Sequence, residues 1–391
     1  MKKVAILGST GSIGGQTLEI IEDNMERFRV VALTANKNVP LISDQIKKFK
    51  PLMVAMADEQ SAEELRGTLA KDDVKGITIL TGEEGLITAA AESGADILVT
   101  SVVGSAGLVP TIKAIENGIN IALANKETLV AAGEIVTKMA KERGVKLLPV
   151  DSEHNALFQS LRGHVDTGVK RLILTASGGP FWKKEVNELK DITPEEAVKH
   201  PRWNMGAKIS IDSATMMNKA LEVIEARWLF DIDGDNIDVL IHPQSIVHSM
   251  VEYIDGSVIA QMGVTDMKIP IAYALSYPAR MENRMPELNL ADLCKDGVGL
   301  TFFSPDLDRF PALVLAYKSL KVGGTMPAVM SAANEVAVSL FLEKKIVFLD
   351  IVQLVTEIMD KHKVIIAPDL DKTLEADLWA RREAEKMGEI L

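Results

Sequence analysis

Cysteine is nearly absent from this chain. Cys294 is the single one among 391 residues, so no intrachain disulfide can form, and a reducing cytoplasm is the expected setting. Cys294 ends the stretch Asn289-Leu-Ala-Asp-Leu-Cys294, with no neighbouring histidine. A thiol nucleophile needs an activating base, so core packing is the expected role. Basic charge is also scarce: Lys and Arg number 43 against 55 Asp and Glu, for a net charge of −12. This argues against nucleic acid or an anionic membrane as the main partner, while a local basic pocket for a small phosphate stays open. Long apolar runs are missing too. The longest, Ile97 to Ile112, is interrupted by Gly104, Gly107 and Pro110 and is too short to span a bilayer. Met1-Lys-Lys leads straight into a strand pattern, so no signal or transit peptide is expected. Internal repeats and low-complexity tracts are also lacking.

What is present reads as several domains, as the length requires. Over the first 150 residues, short β-branched runs alternate with helical patterns. The strand candidates are Val4 to Leu7, Arg29 to Leu33, Leu52 to Ala55, Ile77 to Leu80, Ile97 to Val99 and Ile119 to Ala122. Near-continuous apolar strands separated by helices predict a doubly wound parallel sheet covered on both faces. After residue 150 the pattern becomes mixed α+β. Arg171 to Thr175 reads as a strand and Ala214 to Phe230 as one long amphipathic helix. Ser245 to Tyr253 and Ser257 to Met262 flank Asp255-Gly256 as a hairpin. Tyr277 to Pro286 reads as a connector. From about Phe310 onward the chain reads as a small helical bundle.

The first candidate site follows the first strand. Gly8-Ser-Thr-Gly-Ser-Ile-Gly14 then opens a helix. Glycines permit the tight turn and close approach of a pyrophosphate, and a helix N-terminus favours its charge. An NAD site would place an acid at the end of the second strand. Here the segment is Leu33-Thr-Ala-Asn-Lys-Asn38, and Lys37 between two amides suits a 2′-phosphate, so NADP(H) is the preferred cofactor. An ordinary loop lysine is the alternative.

The second is Leu148-Pro-Val-Asp-Ser-Glu-His-Asn155. If the chain is still extended there, Asp151 and Glu153 point to one side. Close like charges need a cation or shared proton, and a hard divalent cation takes such oxygens. The alternative is a solvated helix N-terminus. Further on, Ser177-Gly-Gly-Pro180 reads as a phosphate-presenting turn or a bare strand end. Ser213 is placed as an N-cap, with Asn218, Lys219 and Glu222 following on the same helix. They read as a phosphate site with a third carboxylate, or as a capped amphipathic helix. His200-Pro-Arg-Trp-Asn-Met-Gly206 reads as an apolar lid or an anchored loop. Asn125-Lys-Glu127 follows a strand near the expected cofactor. There Lys126 either balances carboxylates, polarises a carbonyl, or belongs to a surface Lys-Glu pair behind a capping Asn125.

Taken in order, these motifs and His242-Pro-Gln-Ser245 resemble the 1-deoxy-D-xylulose 5-phosphate reductoisomerase family, over essentially the whole chain. The resemblance implies an NADPH-binding Rossmann-like domain at 1–150 and a connective, catalytic domain at 151–285 with a flap near 195–206. A linker at 286–310 and a C-terminal helical domain at 311–391 would follow. It implies a homodimer and a divalent metal (Mg²⁺, Mn²⁺ or Co²⁺) on Asp151, Glu153 and Glu222. It implies a phosphate pocket of Ser177, His200, Ser213, Asn218 and Lys219, with Ser152 and Lys126 at the substrate oxygens. Trp203 and Met205 would sit on the lid. Thr10, Gly11, Ser12, Ile13, Asn36, Lys37, Asn38, Asn125, Glu127 and Gly206 would lie along NADPH. The family usually has glycine where this chain has Asn36, a residue that tolerates a left-handed backbone. The implied reaction rearranges and then reduces a ketose phosphate to 2-C-methyl-D-erythritol 4-phosphate, in the non-mevalonate isoprenoid pathway. The alternatives are another NADP-linked dehydrogenase of a phosphorylated aldehyde or ketone, and a non-catalytic NADP(H) sensor.

Overall fold

The structure is a computed structural model. It describes residues 1–391 apart from 164–167, 201, 202, 204, 283, 294–298 and 391. Cys294, and the expectation attached to it, lie outside the described residues. The chain divides into two compact units. The first comprises Met1–Thr128, Val136–Asn155 and Asp266–Met285; the second comprises Leu129–Ile135, Ala156–Thr265 and Pro286–Leu391.

The first unit is built on seven parallel strands: β1 (Lys2–Leu7), β2 (Phe28–Ala35), β3 (Met53–Met56), β4 (Thr78–Thr81), β5 (Ile97–Thr100), β6 (Asn120–Leu123) and β7 (Leu147–Pro149). They run in the order β4-β3-β2-β1-β5-β6-β7. Val4 to Leu7 and Ile97 to Thr100 are fully buried, because helices cover both faces and leave no polar side. The order reverses between β1 and β5. In doubly wound sheets ligands bind at this switch point, beyond the strand C-termini. The expected Rossmann-like architecture is therefore present.

The second unit holds a four-stranded mixed sheet of β8 (Val169–Ala176), β9 (Ile237–Ile241), β10 (Val247–Tyr253) and β11 (Val258–Met262), ordered β11-β10-β8-β9. The hairpin read around Asp255-Gly256 is the antiparallel pair β10–β11, with Gly256 at a φ of 85°. Four helices, Ala312–Val322, Met326–Leu342, Asp350–Lys361 and Leu370–Gly388, form the C-terminal part. Met326–Leu342 is apolar almost all round and lies at its centre, with Val329, Met330, Ala333, Ala337 and Phe341 buried, as such a helix must be.

The single helix expected over Ala214 to Phe230 is instead two, Ala207–Ala214 and Met217–Phe230. Met216 adopts a left-handed φ of 63° between them. Apolar spacing continues through the break, and a left-handed methionine leaves no mark on it. Ser213 is therefore no N-cap. It sits in the last turn of the first helix, and Met216 starts the second with no side-chain cap.

Candidate active site

In the first unit, β1 ends in a turn that the glycines alone permit. Gly8 has a φ of 79°, and a Cβ there would lie 2.9 Å from the Ser101 carbonyl oxygen. At Gly14 a Cβ would collide with the Gly8 oxygen and the Ser9 backbone. The first glycine makes the turn and the last lets the helix press against it, the division of labour expected of a dinucleotide loop. Thr34 on β2 supports the loop: its Oγ1 accepts from the Gly8 amide at 2.9 Å and its carbonyl from the Ser9 amide at 2.8 Å. Helix Ser12–Glu22 then begins with neither a side-chain cap nor an acid in its first turn. Its opening amides, beside Thr10, Gly11, Ser12 and Ile13, suit a pyrophosphate. These features fit a bound dinucleotide.

Lys37 is 72% exposed and pairs with Asp58 at 3.4 Å, an ion pair of little energetic weight. Asn38 caps helix Val39–Phe49, accepting from the Leu41 amide at 3.2 Å. Asn36 does not adopt a positive φ, so the tolerance for left-handed backbone that its side chain offers is not used.

Asn125 is buried. Its amide nitrogen donates to the carbonyls of Val102 at 2.8 Å and Gly104 at 2.9 Å, and to Glu127 at 3.1 Å. Its oxygen accepts from the Thr128 amide, so Asn125 does cap the helix that follows. Lys126 and Glu127, however, are 5% and 6% exposed and form no surface pair. The Lys126 ammonium instead meets Asp151 at 2.7 Å.

That contact bears on the carboxylate motif. β7 stops at Pro149, and Ser152 already opens helix Ser152–Ser160. Asp151 and Glu153 therefore do not share a side through an extended chain. They flank a helix N-terminus, whose partial positive charge suits anions. They are not freely solvated either. Asp151 is held by buried Lys126, and Glu153 accepts from the Ser152 hydroxyl. Carboxylate oxygens are hard donors that fit a divalent cation of the Mg²⁺ type.

In the second unit, Ser177 follows β8 and starts a turn in which Gly178 and Gly179 have φ of 87° and 72°. Any side chain on Gly179 would strike the Ser213 carbonyl, so the turn sits against the end of helix Ala207–Ala214. His200 reaches in from the segment after helix Pro194–Ala197. Its Nδ1 accepts from the Trp203 amide at 2.9 Å, which leaves that nitrogen bare and puts the ring proton on Nε2. Nε2 then donates to Ser177 Oγ at 2.9 Å, and the Gly179 amide donates to the same oxygen at 3.2 Å. With two donors aimed at its oxygen, the Ser177 hydroxyl proton is left for an outside acceptor. Burial pushes His200 down to about 4, so the ring is neutral at pH 7.

The next helix starts at Met217, whose amide donates to the Thr215 hydroxyl at 3.3 Å, and carries Asn218 and Lys219 in its first turn. Glu222 is fully buried, and its two oxygens are held by the Asn218 amide and the Lys219 ammonium. Helix-start amides, a lysine ammonium and a serine hydroxyl are the kinds of group that an anion takes. Of the lid residues, Trp203 and Met205 are half-buried, Gly206 is exposed at the start of helix Ala207–Ala214, and the Trp203 ring lies 6.5 Å from the His248 ring. Pro201, Arg202 and Asn204 lie outside the described residues. Two supports escaped the sequence reading. Thr34 has no local signal. His242 stood in a motif without an assigned role.

Three family models match this chain. The model described as 1-deoxy-D-xylulose 5-phosphate reductoisomerase matches residues 4–133 and that of its C-terminal domain 147–230. The model described as DXP reductoisomerase C-terminal domain matches 262–383. The 1-deoxy-D-xylulose 5-phosphate reductoisomerase of Chlorobaculum tepidum is 54% identical over 99% of this chain and 100% of its own. That of Geotalea uraniireducens is 54% identical over 99% and 98%. Among solved structures, the enzyme of Zymomonas mobilis in complex with NADPH superposes with a TM-score of 0.91 at 45% identity, covering both chains fully. A DOX-P reductoisomerase in complex with NADPH, fosmidomycin and magnesium gives 0.93 at 40% identity, over 100% of this chain and 99% of that one. This chain belongs to the 1-deoxy-D-xylulose 5-phosphate reductoisomerase family.

Proposed function

We propose that this chain converts 1-deoxy-D-xylulose 5-phosphate to 2-C-methyl-D-erythritol 4-phosphate, using NADPH and a divalent metal, in the non-mevalonate isoprenoid pathway. The observation that carries this reading is membership of the family over the full length of the chain. Bound NADPH supplies the hydride, and a metal on Asp151, Glu153 and Glu222 supplies Lewis-acid stabilisation of the substrate oxygens.

The chain's own residues do the rest. Ser177, His200, Ser213, Asn218 and Lys219 bind the substrate phosphate. The neutral His200 ring aims the Ser177 hydroxyl outward, and Lys219 supplies the positive charge. This remote binding energy holds the reacting carbons in place. Lys126 pairs with Asp151 and, with Ser152, orients substrate oxygens. Trp203 and Met205 cover the substrate and exclude water. Thr10 to Ile13, Asn36 to Asn38, Asn125, Glu127 and Gly206 line the cofactor.

The proposed division of labour assigns NADPH to residues 1–150. Residues 151–285 carry the catalytic groups and flap, 286–310 link, and 311–391 support. Homodimerisation is proposed through the edge strand β11. There Val258 and Ile259 are exposed on a strand whose outer backbone edge is unpaired within its sheet, and such edges favour further strand pairing. A cytoplasmic location is proposed from the scarcity of cysteine. Among the described residues no helix is long and apolar enough to cross a membrane.

The test is Glu222→Gln. Glutamine keeps the shape and an acceptor for Lys219 but removes the metal-binding charge. Turnover should be abolished and NADPH binding retained; equal loss of both would sink the metal role. Sedimentation velocity at micromolar concentration tests the dimer, and a monomer would overturn it.

A further inference from the structure

The motif His242-Pro-Gln-Ser245 is used by none of the steps above, yet the His242 ring is held at both nitrogens. It is fully buried. Its Nδ1 lies 2.8 Å from the Thr301 carbonyl oxygen and so carries the ring proton. Its Nε2 accepts from the amides of Ile246 and Val247, each at 3.2 Å, so that nitrogen is bare. The ring is thereby fixed as one neutral tautomer, and it stacks on Phe302 with centroids 4.5 Å apart.

The two ring nitrogens hold two different things. Nε2 secures the residues that lead into β10. Nδ1 secures the segment Gly299 to Phe303, helped by Gln244, whose amide donates to Thr301 Oγ1 at 2.8 Å. That segment leads to the phosphate turn. Phe303 exchanges both backbone hydrogen bonds with Ile241, at 2.8 and 2.9 Å. Its ring packs 5.2 Å from Trp182. Trp182 in turn lies against Gly178, where a Cβ would be 2.8 Å from the tryptophan side chain. The His242 amide also donates to the Ala176 carbonyl at 2.6 Å, one residue before Ser177. The His242 side chain thus braces the turn through Thr301, Phe303 and Trp182.

We propose that His242 is a positioning residue for the phosphate turn, acting through its Nδ1–H bond to Thr301, whereas its Nε2 bonds serve stability. This rests on the reading of Ser177 as a phosphate ligand. The two functions separate by substitution. An asparagine amide falls near the position of Nδ1 and can keep the Thr301 bond while losing the Nε2 acceptor. A glutamine amide falls near Nε2 and does the reverse.

The experiment measures inhibition by inorganic phosphate, KM and kcat for 1-deoxy-D-xylulose 5-phosphate, NADPH affinity without substrate, and the thermal midpoint. It does so for His242→Asn, His242→Gln and Ser177→Ala in the full-length enzyme. His242→Gln should raise the phosphate inhibition constant and the KM about tenfold, with NADPH affinity within twofold and little change in midpoint. His242→Asn should lower the midpoint and leave phosphate inhibition within threefold. Parallel changes in both variants, or no rise in the phosphate constant with glutamine, would overturn the proposal. Ser177→Ala separates the two failures. If it leaves phosphate inhibition unchanged, the phosphate reading itself is wrong, and the bracing role of His242 falls with it.

Discussion

Neutral His200 makes a stability prediction with a definite sign. Burial lowers the ring from its ordinary 6.5 to about 4. Between those values the unfolded chain binds a proton that the folded chain refuses, so stability falls as pH drops from about 6.5 to about 4 and is unaffected above that window. At pH 5 the full shift corresponds to about 2 kcal/mol. The ring is only partly shielded, so solvent screening reduces this to about 1 kcal/mol. His200→Gln removes the titration and keeps a polar group beside Ser177. Thermal midpoints of wild type and variant should be measured at pH 7.5 and pH 5. The wild type should lose about 2–4 °C more than the variant on acidification, the scale expected for about 1 kcal/mol in a unit of roughly 200 residues. Equal losses would refute the claim that His200 is held neutral. A larger loss in the variant would mean the proton on His200 stabilises the fold rather than disrupting it.

Other consequences are as direct. Lys37→Ala should weaken NADPH at least tenfold in a fluorescence titration while NADH binding changes little. Its pair with Asp58 is exposed and contributes little to the fold, so equal loss for both cofactors would remove the 2′-phosphate assignment. Gly14→Ala drives a Cβ into the Gly8 oxygen and Ser9 backbone. Relief needs backbone movement costing about 1–3 kcal/mol. Both NADPH affinity and thermal midpoint should fall, and unchanged cofactor binding would show that the loop does not seat the pyrophosphate.

The first unit was largely legible because its signal is local. A strand buried on both faces must be continuously apolar, and Val4 to Leu7 or Ile97 to Val99 can be little else. The glycine loop was legible for the same reason: close approach of two backbones demands glycine at Gly8 and Gly14. The second unit was harder. Apolar spacing runs unbroken through Thr215 and Met216, yet the helix breaks there, because packing on both sides over-determines one left-handed residue. Asp151 and Glu153 were read as sharing one side of an extended chain, and the local geometry differs from that reading. The strand is one step shorter than its apolar run, since the helix takes over at Ser152. Lys126 was left open between a surface pair and a partner for carboxylates, and burial beside Asp151 decides for the latter. The bracing by His242 could not be read at all. Its partner Thr301 lies 59 residues away, and no periodic pattern encodes such a bond.

The central claim is the reaction, and one assay meets it directly. NADPH absorbance is followed with 1-deoxy-D-xylulose 5-phosphate, first with chelator and then after adding Mg²⁺ or Mn²⁺. NADPH should be oxidised only when both the substrate and the metal are present. A folded protein that binds NADPH but never oxidises it under these conditions would contradict the account.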